Sequence, residues 1–333
     1  MYIVESYPFA VFLCFITMLC WGSWANTQKL ASKSWPFQLF YWDYALGIVI
    51  LTLIFGLTVG SMGGDGRSFI TDLAQADWRS ISLAILGGVI FNLANILIVI
   101  AIDIAGMAIA FPVGIGIALV QGVIVNYIGD PVGDPLLLFG GVGLVAVAIV
   151  LDAVAYGKME GGNTADKRKG LIISIIGGIL MGLFYRFVAD SMATDFYAPE
   201  AGRLTPYSAL FVFSIGVFIS NFVFNSVAMY RPLSGQRTTY SAYFTLGTPK
   251  LHFIGILGGV IWGVGMSLSI MASDQAGFAI SYGLGQGATM VAAFWGVFIW
   301  KEFAGAPKAV NTLITFMFIF FMLGLTLIVL SKL

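Results

Sequence analysis

Ten stretches of the chain stay apolar for about the 20 residues an α-helix needs to cross a bilayer. They run from Pro8 to Ala25, Phe37 to Val59, Ser80 to Ile102, Ala105 to Ile128, Pro135 to Tyr156, Gly170 to Asp190, Tyr207 to Val227, Leu251 to Met271, Ala276 to Ile299 and Thr312 to Leu330. Almost nothing separates the third stretch from the fourth, or the eighth from the ninth, so each pair predicts a tight hairpin. Two longer polar links, Ser61 to Arg79 and Met192 to Pro206, follow corresponding stretches. A Gly-rich, basic segment from Ala155 to Lys169 reads as a solvated loop in the middle of the chain.

The pattern repeats. ILGGVIFNLANILIVIAIDIAGMAIAFPVGIGIALV, Ile85 to Val120, is answered 171 residues later by ILGGVIWGVGMSLSIMASDQAGFAISYGLGQGATMV, Ile256 to Val291, with 16 of 36 positions identical and no gap. Asp103 stands opposite Asp274, Ala105-Gly106 opposite Ala276-Gly277, and Gly114 and Gly116 opposite Gly285 and Gly287. Common apolar composition does not align aspartates, so the chain reads as an internal duplication. The predicted domains are a first five-helix repeat over 1–157, a linker over 158–169 and a second repeat over 170–333. An odd number of spans forces the second copy into the membrane upside down. The expected fold is therefore an all-α integral membrane protein of ten transmembrane helices, a 5+5 inverted-topology repeat, in which a ligand site near the midplane is marked by matched, interrupted helices. Pro112, Gly114 and Gly116 in the fourth span, against Gly283, Gly285 and Gly287 in the ninth, predict a broken or tightly curved helix in both halves.

Composition sharpens this picture. With 59% hydrophobic residues, 10% charged residues and a mean hydropathy of +0.96, the chain carries too much apolar surface for a water-soluble core. The zero net charge argues against nucleic acid as a partner. Cys14 and Cys20, six apart in one span, are expected to be reduced, with no metal. No basic region precedes the first span, which reads as a helix and not a cleaved leader. Lys29, Lys33, Lys158, Lys167, Arg168, Lys169, Arg231, Arg237, Lys250, Lys301 and Lys308 fall on one side of the predicted topology and Arg67, Arg79, Arg203 and Lys332 on the other. The positive-inside rule then places both termini outside, in a multi-pass protein of the cytoplasmic (inner) membrane.

Ionisable and polar groups at membrane depth are functional candidates. Asp43, about seven residues into the second span and roughly 10 Å deep at 1.5 Å per residue, is a candidate to gain and lose a proton; its plainer reading is an acid hydrogen-bonded by hydroxyls or amides. Asn92 and Asn95 share a helix face and offer donors and acceptors to hydroxyl or urea-type groups, or bond neighbouring helices. Gln286, Tyr282 and Ser281 bring polar groups to the interrupted part of the ninth span, and Gln121 does so on the fourth. Trp21, Trp24 and Trp262 are placed to stack on a flat ligand or simply to pack. Arg186 and Asp190, one turn apart, read as an ion pair reaching for the outer surface or as a gate, and not as a partner for Asp43. Asp103 and Asp274 read as turn or cap residues. His252 stands at a helix start with no metalloprotease motif around it.

Ten helices in a five-plus-five repeat resemble the drug/metabolite transporter superfamily. MYIVES at the start, WGSW at Trp21 to Trp24, YWDY at Tyr41 to Tyr44, GGVIFNLAN ending at Asn95, and Asn126-Tyr127 followed by Asp130 resemble its ureide-permease branch. The glycine-rich fourth span and FWGVFIWKEF at Phe294 to Phe303 are similar to bacterial rhamnose and glucose/ribose porters. The central link departs from the plant permeases in having no phosphate-loop string. The resemblance implies a secondary transporter that imports a small polar metabolite, a sugar or a ureide- or nucleobase-like solute. It would use protons as the coupling ion and no other cofactor, with membrane lipid around it and the oligomeric state left open. The mechanism would be rocking about a site among the first, third, fourth, sixth, eighth and ninth spans. The alternative on the same fold is an exporter or flippase of amphipathic metabolites or drugs. An enzyme is not expected, because no nucleophile with its base, clustered carboxylates or metal set is legible.

Overall fold

The computed structural model describes residues 1–31, 35–105, 107–159, 164–233 and 235–333. Lys33, Gly106 and the middle of the central link, 160–163, lie outside them. The described residues are helical with no strand, and ten helical spans are long and apolar enough to cross a membrane. The helices are α1 (Tyr7–Ser23), α2 (Ala25–Ala31), α3 (Phe37–Leu57), α4 (Phe69–Gln75), α5 (Trp78–Ala105), α6 (Met107–Gly129), α7 (Pro135–Gly157), α8 (Thr164–Ser191), α9 (Pro206–Tyr230), α10 (Tyr240–Leu246), α11 (Pro249–Ala276), α12 (Phe278–Gly285), α13 (Ala288–Phe294) and α14 (Lys308–Leu330). Large apolar side chains such as Ile54, Val150, Phe222, Val223 and Met322 are exposed along these helices, as lipid-facing residues of a multi-pass membrane protein are.

The 171-residue period of the sequence reappears in the elements. Both bounds of α4 and α10, and both bounds of α5 and α11, differ by that spacing, and α12 begins that far after α6. The short helices α4 and α10 escaped the sequence reading because seven residues cannot fill a span. Helix starts follow local chemistry: Asp134 accepts from the Leu137 N–H at 2.9 Å ahead of Pro135, and Thr205 with Ser208 forms a capping box ahead of Pro206.

Two compact units form, 1–92 with 184–275 and 93–183 with 276–333. These are a different division from the sequence halves, since each unit draws matching stretches from both. In the first unit the repeated ILGGVI string explains itself. A Cβ on Gly88 would overlap the Phe213 carbonyl of α9, and one on Gly259, its repeat counterpart, would overlap the Tyr44 carbonyl of α3. Bare backbone at these positions lets α5 press on α9 and α11 on α3. In the second unit α7 and α14 cross through glycines in the same way, Gly141 against the Gly324 carbonyl and Gly324 against that of Gly141.

The expected pair of interrupted helices is found in one half only. The ninth span breaks after Gly285 at Gln286 and Gly287, and then winds through a π-turn at Trp295–Ile299. α6 is continuous, with Pro112 inside it. Pro112 is its sixth residue, past the four N–H groups that lack a helical partner, so the proline removes one backbone hydrogen bond while α6 continues through it. A Cβ on Gly116 would meet open space, so that glycine is not there for packing. Asp103 and Asp274 occupy the last turns of α5 and α11, not turns between helices.

Candidate functional site

In the first unit, Asp43 is the seventh residue of α3, and its side chain is 2% exposed. Tyr243 of α10 donates its hydroxyl to Asp43 Oδ1 at 2.5 Å, and His252 Nδ1 of α11 stands 3.0 Å from both carboxylate oxygens. The buried Trp35 ring meets the imidazole edge-on at a centroid distance of 5.2 Å. A Cβ on Gly255 would collide with that of Asp43, so α11 needs a glycine there to bring His252, one turn earlier, up to the acid. The His252 side chain is 28% exposed, which leaves water a way to the pair. Burial, then the acid it bonds, raises the Tyr243 phenol above its ordinary value, so it stays a donor. The sequence reading found Asp43 and set His252 aside; nothing local to residues 43, 243 and 252 signals that they meet.

The same unit gathers the tryptophans. Trp21 and Trp262 stack at 6.0 Å with planes 12° apart, Trp262 stacks on Phe213 at 6.1 Å, and Phe91 lies 4.3 Å from Trp262. Trp24, at the turn between α1 and α2, packs on Tyr44 at 4.7 Å. The Trp21 indole N–H and the Tyr44 hydroxyl are buried with no hydrogen-bond partner among the described residues. Asn92 is fully buried; its Nδ2 donates to Ser220 at 2.8 Å while its Oδ1 has no partner among the described residues. The interhelical reading of Asn92 thus accounts for one end of its amide only. Arg186 and Asp190 form the expected i,i+4 ion pair, bidentate through Nε and Nη2, and the Asp190 carbonyl accepts from Arg203.

The remaining candidates, Asn95, Gln121, Tyr282 and Gln286, with the helix-break residues, belong to the second unit. Two of these side chains are bonded to backbone carbonyls. Tyr282 is fully buried and donates to the carbonyls of Ala118 at 3.1 Å and Met181 at 3.2 Å, and its ring fills the space over Gly122. In this conformation its hydroxyl clamps backbone within the unit. Gln121 donates to the Ile179 carbonyl at 3.1 Å, tying α6 to α8. Gln286, 8% exposed, caps α12 where the span breaks. Among the described residues, no three His, Cys, Asp or Glu side chains converge as a metal-holding group.

A family model described as Ureide permease matches residues 40–171 and 163–331. The chain is 24% identical to ureide permease 1 of Arabidopsis thaliana over 391 aligned residues, covering 100% of this chain and 99% of that protein. It is also 24% identical to ureide permease 4 of Arabidopsis thaliana, over 100% and 99% of the two chains. One solved crystal structure superposes over 98% of each chain with a TM-score of 0.60 at 13% identity, a likeness of fold alone.

Proposed function

We propose a function from one premise: the chain belongs to the ureide permease family. It is a membrane transport protein, and the reading we draw from its geometry is a secondary transporter of the drug/metabolite type. It imports a small polar solute, ureide- or nucleobase-like or a sugar, by alternating access, driven by protons that enter with it. The single observation that carries the coupling is Asp43, a carboxylate inside an apolar bundle whose ring partner is a histidine and not a lysine or arginine. A lysine or arginine in that place would hold the acid charged. Tyr243 holds the acid in place through either state.

The solute class rests on the aromatic cluster. Parallel rings at Trp21, Trp262 and Phe213 suit a flat solute, and the unpartnered donors of Trp21 and Tyr44 suit one bearing carbonyl acceptors, as a ureide does. The 171-residue recurrence of the helices supports the inverted five-plus-five repeat, and the lysine and arginine distribution supports termini on the outer side of the cytoplasmic membrane.

The test is uptake of labelled sugars, allantoin, uracil and nucleosides into proteoliposomes, with and without an inward proton gradient, for wild type and Asp43→Asn. Gradient-driven accumulation that disappears in the variant while counterflow exchange persists is the expected result. Unchanged accumulation would reduce Asp43 to a packing residue, and no uptake of any solute would favour the exporter.

A further inference from the structure

A second buried carboxyl, which the transport reading does not use, lies in the other unit. Asp152 is on α7, 7% exposed, and its Oδ1 is buried with no hydrogen-bond partner among the described residues. One turn further along the same face, Tyr156 donates its hydroxyl to Glu302 Oε2 at 2.6 Å. Glu302 is held from behind: its backbone N–H donates to the Gly296 carbonyl at 3.0 Å, closing the π-turn onto the α7 face. Gly296 has no space for a side chain, since a Cβ would stand 2.6 Å from the Tyr156 hydroxyl and 2.9 Å from Glu302 Oε2. Glu302 itself is exposed, beside the face of α7 that carries Asp152 and Tyr156.

No lysine, arginine or histidine lies within ion-pair distance of Asp152 among the described residues. The helices packed on α7 bring few charges: α6 carries only Tyr127, beside Phe139 near the other end of α7, and α14 carries only Lys308, in its first turn. α7 itself adds Tyr156 and, at its C-cap, Lys158, and the segment that carries Glu302 adds Lys301. A carboxylate buried without a cation or a donor, beside a second carboxylate, is the arrangement that one ionised group and one neutral acid resolve. Tyr156 decides which is which, because its donated hydrogen bond favours the charge on Glu302 and Asp152 receives nothing comparable.

We infer that Asp152 and Glu302 form a proton-binding site in the second unit, with Asp152 carrying the proton as a neutral acid beside a charged Glu302. Loading is simple: the Asp152 carboxylate takes one proton from water, and the pair goes from two negative charges to one. The inference goes beyond the coupling role of Asp43 and stands whether or not that role holds, since the two carboxyls are in different units and have no common hydrogen-bond partner among the described residues.

Infrared difference spectroscopy of the full-length protein in liposomes, titrated with pH and read at the C=O stretch of protonated carboxyls, tests it without any transported solute. Wild type should show a band that is absent in Asp152→Asn and present in Asp43→Asn. Glu302→Gln, which keeps the Tyr156 contact but removes the charge, should change the midpoint of that band. A wild-type spectrum retained in full by Asp152→Asn would overturn the inference, as would a band that sodium removes at constant pH, which would make the ligand a metal cation. If Asp152→Asn fails to fold, an unmoved midpoint in Glu302→Gln overturns it as well.

Discussion

α4 and α10 stand at the same place in the repeat and do opposite work. On α4, Asp72 has no exposed surface and is bonded by Arg67 Nε at 2.8 Å, by the Thr205 N–H at 2.7 Å, by the Thr205 hydroxyl at 3.0 Å and by Ser208. Arg67 spends its other donors on the carbonyls of Pro199, Glu200 and Arg203. The charge is locked, and the start of α9 is anchored to it. At the matching position α10 carries Tyr243, which turns an acceptor into a donor and reaches the acid of α3 instead. There the carboxylate has two side-chain partners, one a half-open imidazole. One copy of the corner surrounds its acid with five donated hydrogen bonds and ties down α9; the other gives its acid two side-chain partners, which is where the proposed coupling would act.

That contrast breaks most visibly at Asp72. Asp72→Ala strands the Arg67 guanidinium and uncaps α9, and breaking a buried pair costs about 3–5 kcal/mol; melting in detergent should show a correspondingly large loss. A variant as stable as wild type would end the idea of a locked corner. Asp43→Asn should do the reverse, removing gradient-driven accumulation while changing stability by only about 1 kcal/mol, the net worth of a hydrogen bond.

Tyr243→Phe sits between these. It deletes one hydrogen bond to a charged group, worth about 1.5–3 kcal/mol, and should lower the melting point while leaving some coupled uptake. Its pH dependence has a definite sign. The raised phenol contributes stability that is complete below the ordinary tyrosine value and lost as pH rises through the raised one, so wild type and variant should converge only in strong alkali. The smallest effect is expected at Tyr282→Phe, outside both corners, where two carbonyls lose one shared donor. A loss of about 1 kcal/mol with solute affinity unchanged fits the clamp; a change in affinity confined to this variant would restore Tyr282 as a ligand contact.

Much of the fold was legible because a bilayer imposes a length on every span. The ten windows coincide with the ten helical spans to within a few residues at most ends, and the break near Gly285 was visible in the glycine spacing. At Pro112 the helix continues without a break. The site was legible by residue type alone. Asp43 stood out as an acid in an apolar run and the tryptophans as flat rings at depth, whereas Tyr282 and Gln121 looked equally polar and turned out to be tied to backbone carbonyls.

The sequence by itself determined the number of spans, the duplication at 171 residues and which side chains are out of place in lipid, because periodicity and hydropathy are properties of neighbouring residues. Only the tertiary structure decided which polar groups are satisfied. His252 reaches Asp43 across 209 positions of chain, Asp72 reaches Ser208 across 136, and Glu302 reaches Tyr156 across 146. A buried charge is fixed, exchangeable or neutral according to the donors the packing brings to it, and those donors come from helices far apart in the chain.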